Sequence, residues 1–170
     1  MAEPADFRDF YQANYRRMVA IVSAVLGDRA EAEDVVQEAF ARALARWGRL
    51  GGYDLPEAWV RRVALRIATD SGRRLARAIR VRARLSAQRP GQPAAPDESL
   101  RFTGLAHALR QLPLAQREVL VLHYLADLSV EQIAVDRGLS PGTVKARLAA
   151  GRRRLERELT DRPEAVHDAG

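Results

Sequence analysis

One stretch near the C-terminal end decides the fold: Leu128-Ser-Val-Glu-Gln-Ile-Ala-Val-Asp-Arg-Gly-Leu-Ser-Pro-Gly-Thr-Val-Lys-Ala-Arg-Leu148. Its residues 129–132 run Ser-Val-Glu-Gln, the spacing of a capping box, which marks the start of a helix. Gly138 supplies a tight turn, and Ser140 can cap a second helix with Pro141 at its first position, where a missing N–H costs nothing. Two short helices joined by a glycine turn predict a helix-turn-helix. DNA binding is favoured over an ordinary helical hairpin because basic residues follow.

The second helix of this motif is predicted to place small and basic side chains against DNA. At about 100° per residue, its inward face holds Val144, Leu148, Gly151, Leu155 and Leu159. The opposite face is formed by Ala146, Ala149, Ala150, Arg153 and Arg157. Basic residues flank that face on both sides, namely Lys145, Arg147, Arg152 and Arg154. Small side chains permit close approach to base edges and flanking cations suit phosphates, whereas an ordinary solvated arginine face does not require an alanine centre.

The N-terminal half has the apolar spacing of three helices. The first runs from Phe7 to Leu26, and Gly27 ends it. Asp28 can cap the second helix, whose buried stripe is predicted to be Ala32, Val35, Val36, Ala39, Phe40, Ala43, Leu44 and Trp47. Residues 48–53 are predicted to form a loop. Asp54 can cap a third helix running to about residue 85, with a core stripe of Trp59, Val60, Val63 and Ile67 and a buried-edge hydrogen-bond acceptor, Asp70.

Between the two helical halves lies a segment without large apolar residues. Residues 86–99 contain prolines at 90, 93 and 96, so this segment is predicted to be a flexible linker. It is followed by a short helix that Pro113 ends and by an apolar helix from Leu114 to Leu125. We therefore expect an all-α chain of two small domains: an N-terminal helical domain of residues 1–85 and, after the 86–99 linker, a helix-turn-helix domain of residues 100–160. Residues 161–170 are expected to be a disordered tail.

The composition of the chain limits the kinds of partner and site that it can have. The 170-residue chain has a net charge of +6 and Lys145 is its only lysine, so its positive charge is almost entirely arginine, which suits a polyanionic partner. It has no cysteine, and its three histidines are scattered, so no metal site and no cofactor are expected. No apolar run is long enough to span a bilayer and the start does not resemble a signal peptide, so we expect a cytoplasmic protein without membrane insertion.

Three segments together resemble one family, the extracytoplasmic-function (ECF) group of sigma-70-type sigma factors. Residues 31–44 resemble the family's helix that binds core RNA polymerase, residues 58–74 resemble its helix that recognises the −10 promoter element, and residues 112–154 resemble its −35 domain. The resemblance covers nearly the whole chain in the family's order. It implies a sigma subunit whose partners are core RNA polymerase, through the β′ coiled coil and the β flap, and promoter DNA. An inhibitory anti-sigma factor that clamps across the two halves is also an expected partner.

The resemblance implies roles for individual residues. The polymerase-binding face would be Glu33, Asp34, Gln37 and Glu38, an acidic patch that lies off the apolar stripe and suits a basic protein partner. The −10 contacts would come from Tyr53, Arg61, Arg62, Arg66, Arg73 and Arg74, because basic side chains and an aromatic suit melted single-stranded DNA. The −35 contacts would come from Arg117, Thr143, Lys145, Ala146, Arg147, Ala149, Arg152 and Arg153.

The sequence departs from the family at four of these or neighbouring positions. Arg66 stands where asparagine is common, Ala146 where serine is usual, and Ala150 with Gly151 replaces an arginine–alanine pair. Two other classes of protein are alternatives to a sigma factor. An enzyme is disfavoured because the acidic cluster lies on one helix beside no histidine or cysteine, so no catalytic constellation is recognisable. A stand-alone helix-turn-helix regulator would share the motif but would have no reason for the acidic patch or the arginine-rich third helix.

Overall fold

The apolar spacing produces helices throughout the computed structural model, which describes residues 4–85 and 104–161, with side chains from 6 to 70 and from 104 to 161. Within these ranges the chain forms eight α-helices and no strand. The helices are α1 (Pro4–Leu26), α2 (Arg29–Leu44), α3 (Trp47–Leu50), α4 (Pro56–Leu85), α5 (Gly104–Gln111), α6 (Leu114–Tyr124), α7 (Val130–Arg137) and α8 (Pro141–Thr160). The chain divides into two compact units, Met1–Arg101 and Phe102–Gly170. The predicted linker and nearly all of the predicted tail lie outside the described residues.

In the N-terminal domain, α1 packs along α2, and α4 packs against both. Gly27 ends α1 with a positive φ of 78°, a conformation that costs glycine little. The Asp28 carboxylate then accepts a hydrogen bond from the Glu31 backbone N–H at 2.9 Å, so the predicted cap of α2 is confirmed. Phe40 and Leu65 are among the largest fully buried side chains of this domain.

The end of α2 differs from the prediction. The stripe through Ala43 is buried, but Leu44 is 53% exposed and α2 ends there. Residues 48–53 are not entirely a loop, because Trp47–Leu50 forms the separate turn α3. This extra turn reorients the chain so that the Trp47 indole packs against α1, with ring centroids 4.9 Å from Phe10 and 5.1 Å from Phe7. The apolar residues keep a 3.6-residue spacing from α2 into α3, so the spacing alone does not reveal the break between these two helices.

Helix α4 is rotated relative to the predicted core stripe. Of the four residues expected in the core, only Val60 is buried, and Trp59, Val63 and Ile67 are half-buried. The buried face is instead formed by Ala58, Val60, Ala64, Leu65 and Ala68. Alanines contribute little to an apolar pattern, yet Ala64 and Ala68 are fully buried where α4 packs against α1 and α2. The prediction was wrong because it followed the larger residues.

Two polar residues of α4 also differ from the prediction. The helix begins at Pro56, so Leu55 precedes it directly and Asp54 lies one residue too early to be its cap. Asp70 is exposed rather than a buried-edge acceptor. The buried polar residue is its neighbour Thr69, whose hydroxyl donates to the Leu65 carbonyl at 2.8 Å.

In the C-terminal domain, α8 packs against α5, α6 and α7. The core is formed by Leu112, Val119, Leu122, Ile133, Val144 and Leu148. Three leucines at apolar positions of the pattern are exposed instead: Leu105 by 48%, Leu125 by 45% and Leu159 by 43%. Each lies near a helix end, where no neighbouring helix covers it. None of the helices in the described ranges is both long enough and apolar enough to span a membrane.

Candidate functional site

The predicted helix-turn-helix is confirmed by the geometry of its caps. The Ser129 hydroxyl accepts from the Gln132 backbone N–H at 3.1 Å, and the Gln132 side chain accepts from the Ser129 N–H at 2.8 Å. Gly138 takes the left-handed conformation, with φ of 63°, and ends α7. The Ser140 hydroxyl then accepts from the Thr143 N–H at 3.1 Å to begin α8, with Pro141 in its first turn. A reciprocal capping box at the start of α7 and a serine cap at the start of α8 therefore fix the turn that presents α8.

The face of α8 opposite the core carries the small and basic residues that the sequence places there. Val144 and Leu148 are 0% and 2% exposed and hold the helix to the core. On the other side, Lys145, Ala146, Arg152 and Arg153 are exposed, and Thr143, Arg147 and Ala149 are half-buried. We call this the α8 strip. Arg152 differs from its neighbours because its Nε donates to the Tyr124 hydroxyl at 2.7 Å. Cations and small side chains on one exposed helix face suit a polyanion with a groove.

Gly151 lets α8 approach α6 closely. A Cβ at this position would lie 3.0 Å from Leu120 Cδ1 and 3.5 Å from Gln116 Cβ. A contact of 3.0 Å is tighter than most Cβ contacts in proteins, so a larger residue would require the Leu120 side chain to give way by a few tenths of an ångström. The close approach of α8 to α6 gives a structural reason for glycine at position 151, where the family that the sequence resembles has alanine.

A buried ion pair joins α6 to the end of α7. Arg137 Nη2 lies 2.8 Å from Glu118 Oε1, with side chains 15% and 7% exposed. Glu118 is among the few buried charged residues of the described chain. Its partner stands one residue before the Gly138 turn. The pair therefore fixes the first helix of the motif to α6. No local sequence pattern indicates it, because nineteen positions separate the two residues.

Arg117, expected at the DNA backbone, is directed largely into the protein. Its Nη2 donates to the Leu112 carbonyl at 3.1 Å and to the Arg110 carbonyl at 3.4 Å. Burial and the neighbouring positive charge of Arg110 lower the pKa of the Arg117 guanidinium. The side chain therefore joins the end of α5 to α6, and its contact with DNA stays a prediction.

On α2, the residues expected to bind polymerase share one accessible face. Asp34, Gln37 and Glu38 are exposed and Glu33 is half-buried. We call these four residues the α2 acidic face. Two of them form pairs one helical turn apart: Arg29 Nε lies 2.9 Å from Glu33 Oε1, and Arg42 Nε lies 2.7 Å from Glu38 Oε1. Exposed pairs of this kind contribute only about 0.3–0.5 kcal/mol, so both carboxylates can exchange partners at little cost.

The residues expected at the −10 element are partly described. Tyr53 is 58% exposed in the turn before α4, as stacking on a base would require. Arg62 and Arg66 are exposed on α4, and Arg61 is half-buried. Arg73 and Arg74 continue the α4 backbone, but their side chains lie outside the described ones. One contact was not foreseen, because Arg46 Cζ lies 5.8 Å from the ring centroid of the half-buried Trp59.

Comparisons with known proteins match both domains. Sigma-70 region 2 matches residues 10–78, and Sigma-70, region 4, matches residues 103–155. The ECF RNA polymerase sigma factor SigL of Mycobacterium tuberculosis is 34% identical over 164 residues, covering 94% of this chain and 92% of that protein. The chain belongs to the ECF sigma factors. The RNA polymerase sigma-E factor of Streptomyces coelicolor is 29% identical, with 95% and 90% of the two chains covered.

A solved structure supports the same assignment of the fold. The sigma factor RpoE from Bartonella quintana, in co-crystals with the anti-sigma factor NepR, superposes with a TM-score of 0.67 at 25% identity, covering 91% of this chain and 98% of that one. As an ECF sigma factor, the chain acts in transcription initiation. The helix-turn-helix of this sigma factor is thus the α7–α8 motif, and the α2 acidic face lies within its region 2.

Proposed function

We propose that this sigma factor binds core RNA polymerase through its N-terminal domain and directs the enzyme to promoters by contacting a −10 and a −35 element. The single observation that carries the proposal is the α8 strip, which is presented by a doubly capped helix-turn-helix and is exposed along its basic edge. A recognition helix in this motif enters the major groove with its N-terminal residues towards the bases. On α8 those residues are Thr143, Lys145, Ala146 and Arg147.

Within the α8 strip, residues at the centre would contact bases and residues on the flank would contact phosphates. Ala146 lies opposite the buried Val144–Leu148 face, so its methyl group would meet the groove floor and can contact a thymine methyl. Lys145 and Arg152 lie on the flank, where their charges would meet backbone phosphates. Ala149, Arg147 and Arg153 complete the strip, and Arg117 would act beside it only if its buried guanidinium turned outward.

In the N-terminal domain, two surfaces have different partners. The α2 acidic face would bind the β′ coiled coil of core polymerase, because a negative patch on a chain of net charge +6 suits a basic protein surface rather than DNA. Tyr53 and the arginines of α4 would hold the melted −10 strand, by stacking and by phosphate contacts respectively. The C-terminal domain would additionally contact the β flap.

Reconstitution with core polymerase tests this function. Holoenzyme assembled from purified core and this chain should give run-off transcripts from a subset of a promoter library, while either component alone gives none of them. The chain is proposed to have no catalytic activity of its own, so it should change the start sites of the polymerase and not its elongation rate. Initiation no better than that of core enzyme on every fragment would refute the proposal.

A stand-alone helix-turn-helix regulator is the alternative. It would bind DNA through the same α8 strip but would not co-purify with core polymerase. The α2 acidic face favours the sigma function, because three exposed polar residues on one helix face serve no purpose in DNA binding. An anti-sigma partner is also proposed, since the RpoE homologue of Bartonella quintana was crystallised with the anti-sigma factor NepR.

A further inference from the structure

Arg152, on the flank of the α8 strip, is held by a tyrosine from another helix. Its Nε donates to the Tyr124 hydroxyl at 2.7 Å, and its Cζ lies 5.5 Å from the centroid of the Tyr124 ring. Both residues are exposed, Tyr124 by 60%. In the parts of the chain that the structure describes, no hydrogen bond or ion pair is made by the other basic side chains of this stretch, Lys145, Arg147, Arg153 and Arg154.

Tyr124 lies at a helix end that is joined to the helix-turn-helix through its neighbour His123. It is the last residue of α6, and its ring meets the His123 ring edge-on, with centroids 4.9 Å apart. His123 Nδ1 donates to the Leu128 carbonyl at 2.8 Å, since a carbonyl oxygen can only accept. Leu128 directly precedes the capping box of α7. His123 therefore ties the end of α6 that carries Tyr124 to the loop that leads into the DNA-binding motif.

The bond to Tyr124 determines which donors of Arg152 remain available. A guanidinium has five N–H groups, of which the tyrosine uses only the one on Nε. The two terminal nitrogens keep four N–H groups in a planar fork that matches two oxygens of one phosphate. Fixing an arginine costs about 2 kcal/mol of rotamer entropy. A side chain held before binding loses less of this entropy when DNA arrives.

We propose that Tyr124 is a positioning residue for DNA binding: it orients the Arg152 guanidinium so that both terminal nitrogens contact one backbone phosphate beside the major groove. This inference rests on the proposed role of α8 in −35 recognition. A purely structural role is the competing explanation. It is disfavoured because exposed interactions of this kind contribute only about 0–1 kcal/mol to stability, and both side chains remain largely in solvent.

A double-mutant cycle on reconstituted holoenzyme tests the proposal. Tyr124→Phe, Arg152→Ala and the double variant would be titrated with a promoter duplex from the run-off library over a range of KCl concentrations. Tyr124→Phe keeps the ring and removes the acceptor, so affinity should fall about 2- to 10-fold for all −35 sequences alike. Arg152→Ala should weaken binding about 10- to 100-fold and lower the salt slope by about one unit. Because Tyr124 acts through Arg152, the double variant should match Arg152→Ala.

Two controls separate the explanations. Arg16→Ala removes one exposed positive charge from α1, outside every proposed contact, and should leave affinity at the wild-type value. Thermal melting of Tyr124→Phe should be unchanged. The proposal is overturned by wild-type affinity of Tyr124→Phe or Arg152→Ala, by losses that multiply in the double variant, or by lower stability without weaker DNA binding. Promoter-specific initiation by the wild-type holoenzyme tests the proposed function separately. If the wild-type holoenzyme initiates at promoters but one of these contrary results is found, only the proposed role of the Tyr124–Arg152 pair is refuted.

Discussion

Removing one partner of the Glu118–Arg137 ion pair should destabilise the C-terminal domain and leave the N-terminal domain intact. Replacing either residue by Met keeps much of its volume but removes the ion-pair partner of the other, largely buried charge. Such losses cost about 3–5 kcal/mol in protein interiors. We expect the lower end, since the Arg137 side chain retains 15% exposure and can turn partly towards water. A domain of about 60 residues has a total stability of only about 3–9 kcal/mol, so either single variant should be close to unfolding.

The double variant discriminates between the ion pair and simple packing. Exchanging a whole buried pair for apolar residues of similar volume is often neutral, so Glu118→Met with Arg137→Met should be more stable than either single variant. Hydrogen exchange of peptides from α6 and α7 would measure the stability of the C-terminal domain.

The controls are a second readout and a matched variant. Fluorescence of Trp47 and Trp59, the two tryptophans of the chain, reports only on the N-terminal domain and should not change. Glu131→Met, at an exposed site on α7, is the matched control. Single variants within about 0.5 kcal/mol of that control, with no coupling between them, would refute the reasoning.

Three further predictions concern the proposed contacts and the domain boundary. Charge reversal at Asp34 and Glu38 should abolish retention on immobilised core polymerase without changing thermal melting, because both side chains are exposed; unchanged retention would contradict the α2 assignment. Ala146→Arg should change the −35 sequences recovered by binding-site selection, with shifts of about 1–3 kcal/mol per affected base pair, whereas Lys145→Ala should weaken all sequences alike and lower the salt slope by about one unit. Trypsin should cut first near Arg89 and leave two helical fragments, and joint loss of both fragments would show that the boundary is misplaced.

Local signals were sufficient for much of this structure. The capping box, the Gly138 turn and the Ser140 cap depend on residues within four positions of one another, and all three were predicted correctly. The α2 acidic face was also found, because one dominant apolar stripe leaves little choice about which side is exposed. Where a helix has a single buried face with large side chains, its periodicity is enough to assign the solvent side.

Features that depend on distant parts of the chain were not predictable in this way. Helix α4 buries Ala64 and Ala68 and leaves the larger Trp59, Val63 and Ile67 half-buried, a choice that depends on the two helices it packs against and that hydrophobic spacing does not encode. The Glu118–Arg137 pair and the Tyr124–Arg152 bond join residues 19 and 28 positions apart, and no local pattern relates them. The structure also assigns Arg117 two carbonyl partners that a family position alone could not indicate.

The contact at Gly151 has a consequence for attempts to change promoter preference by exchanging recognition helices. A donor helix carrying a larger residue at this position would press against Leu120, and α8 keeps its place only where that side chain can give way by a few tenths of an ångström. Where Leu120 is held by its neighbours, α8 itself would shift and would move every side chain of the graft relative to the DNA backbone, including those copied from the donor. Helices α6 and α8 therefore form one transferable module, and a chimera should exchange both or retain the glycine.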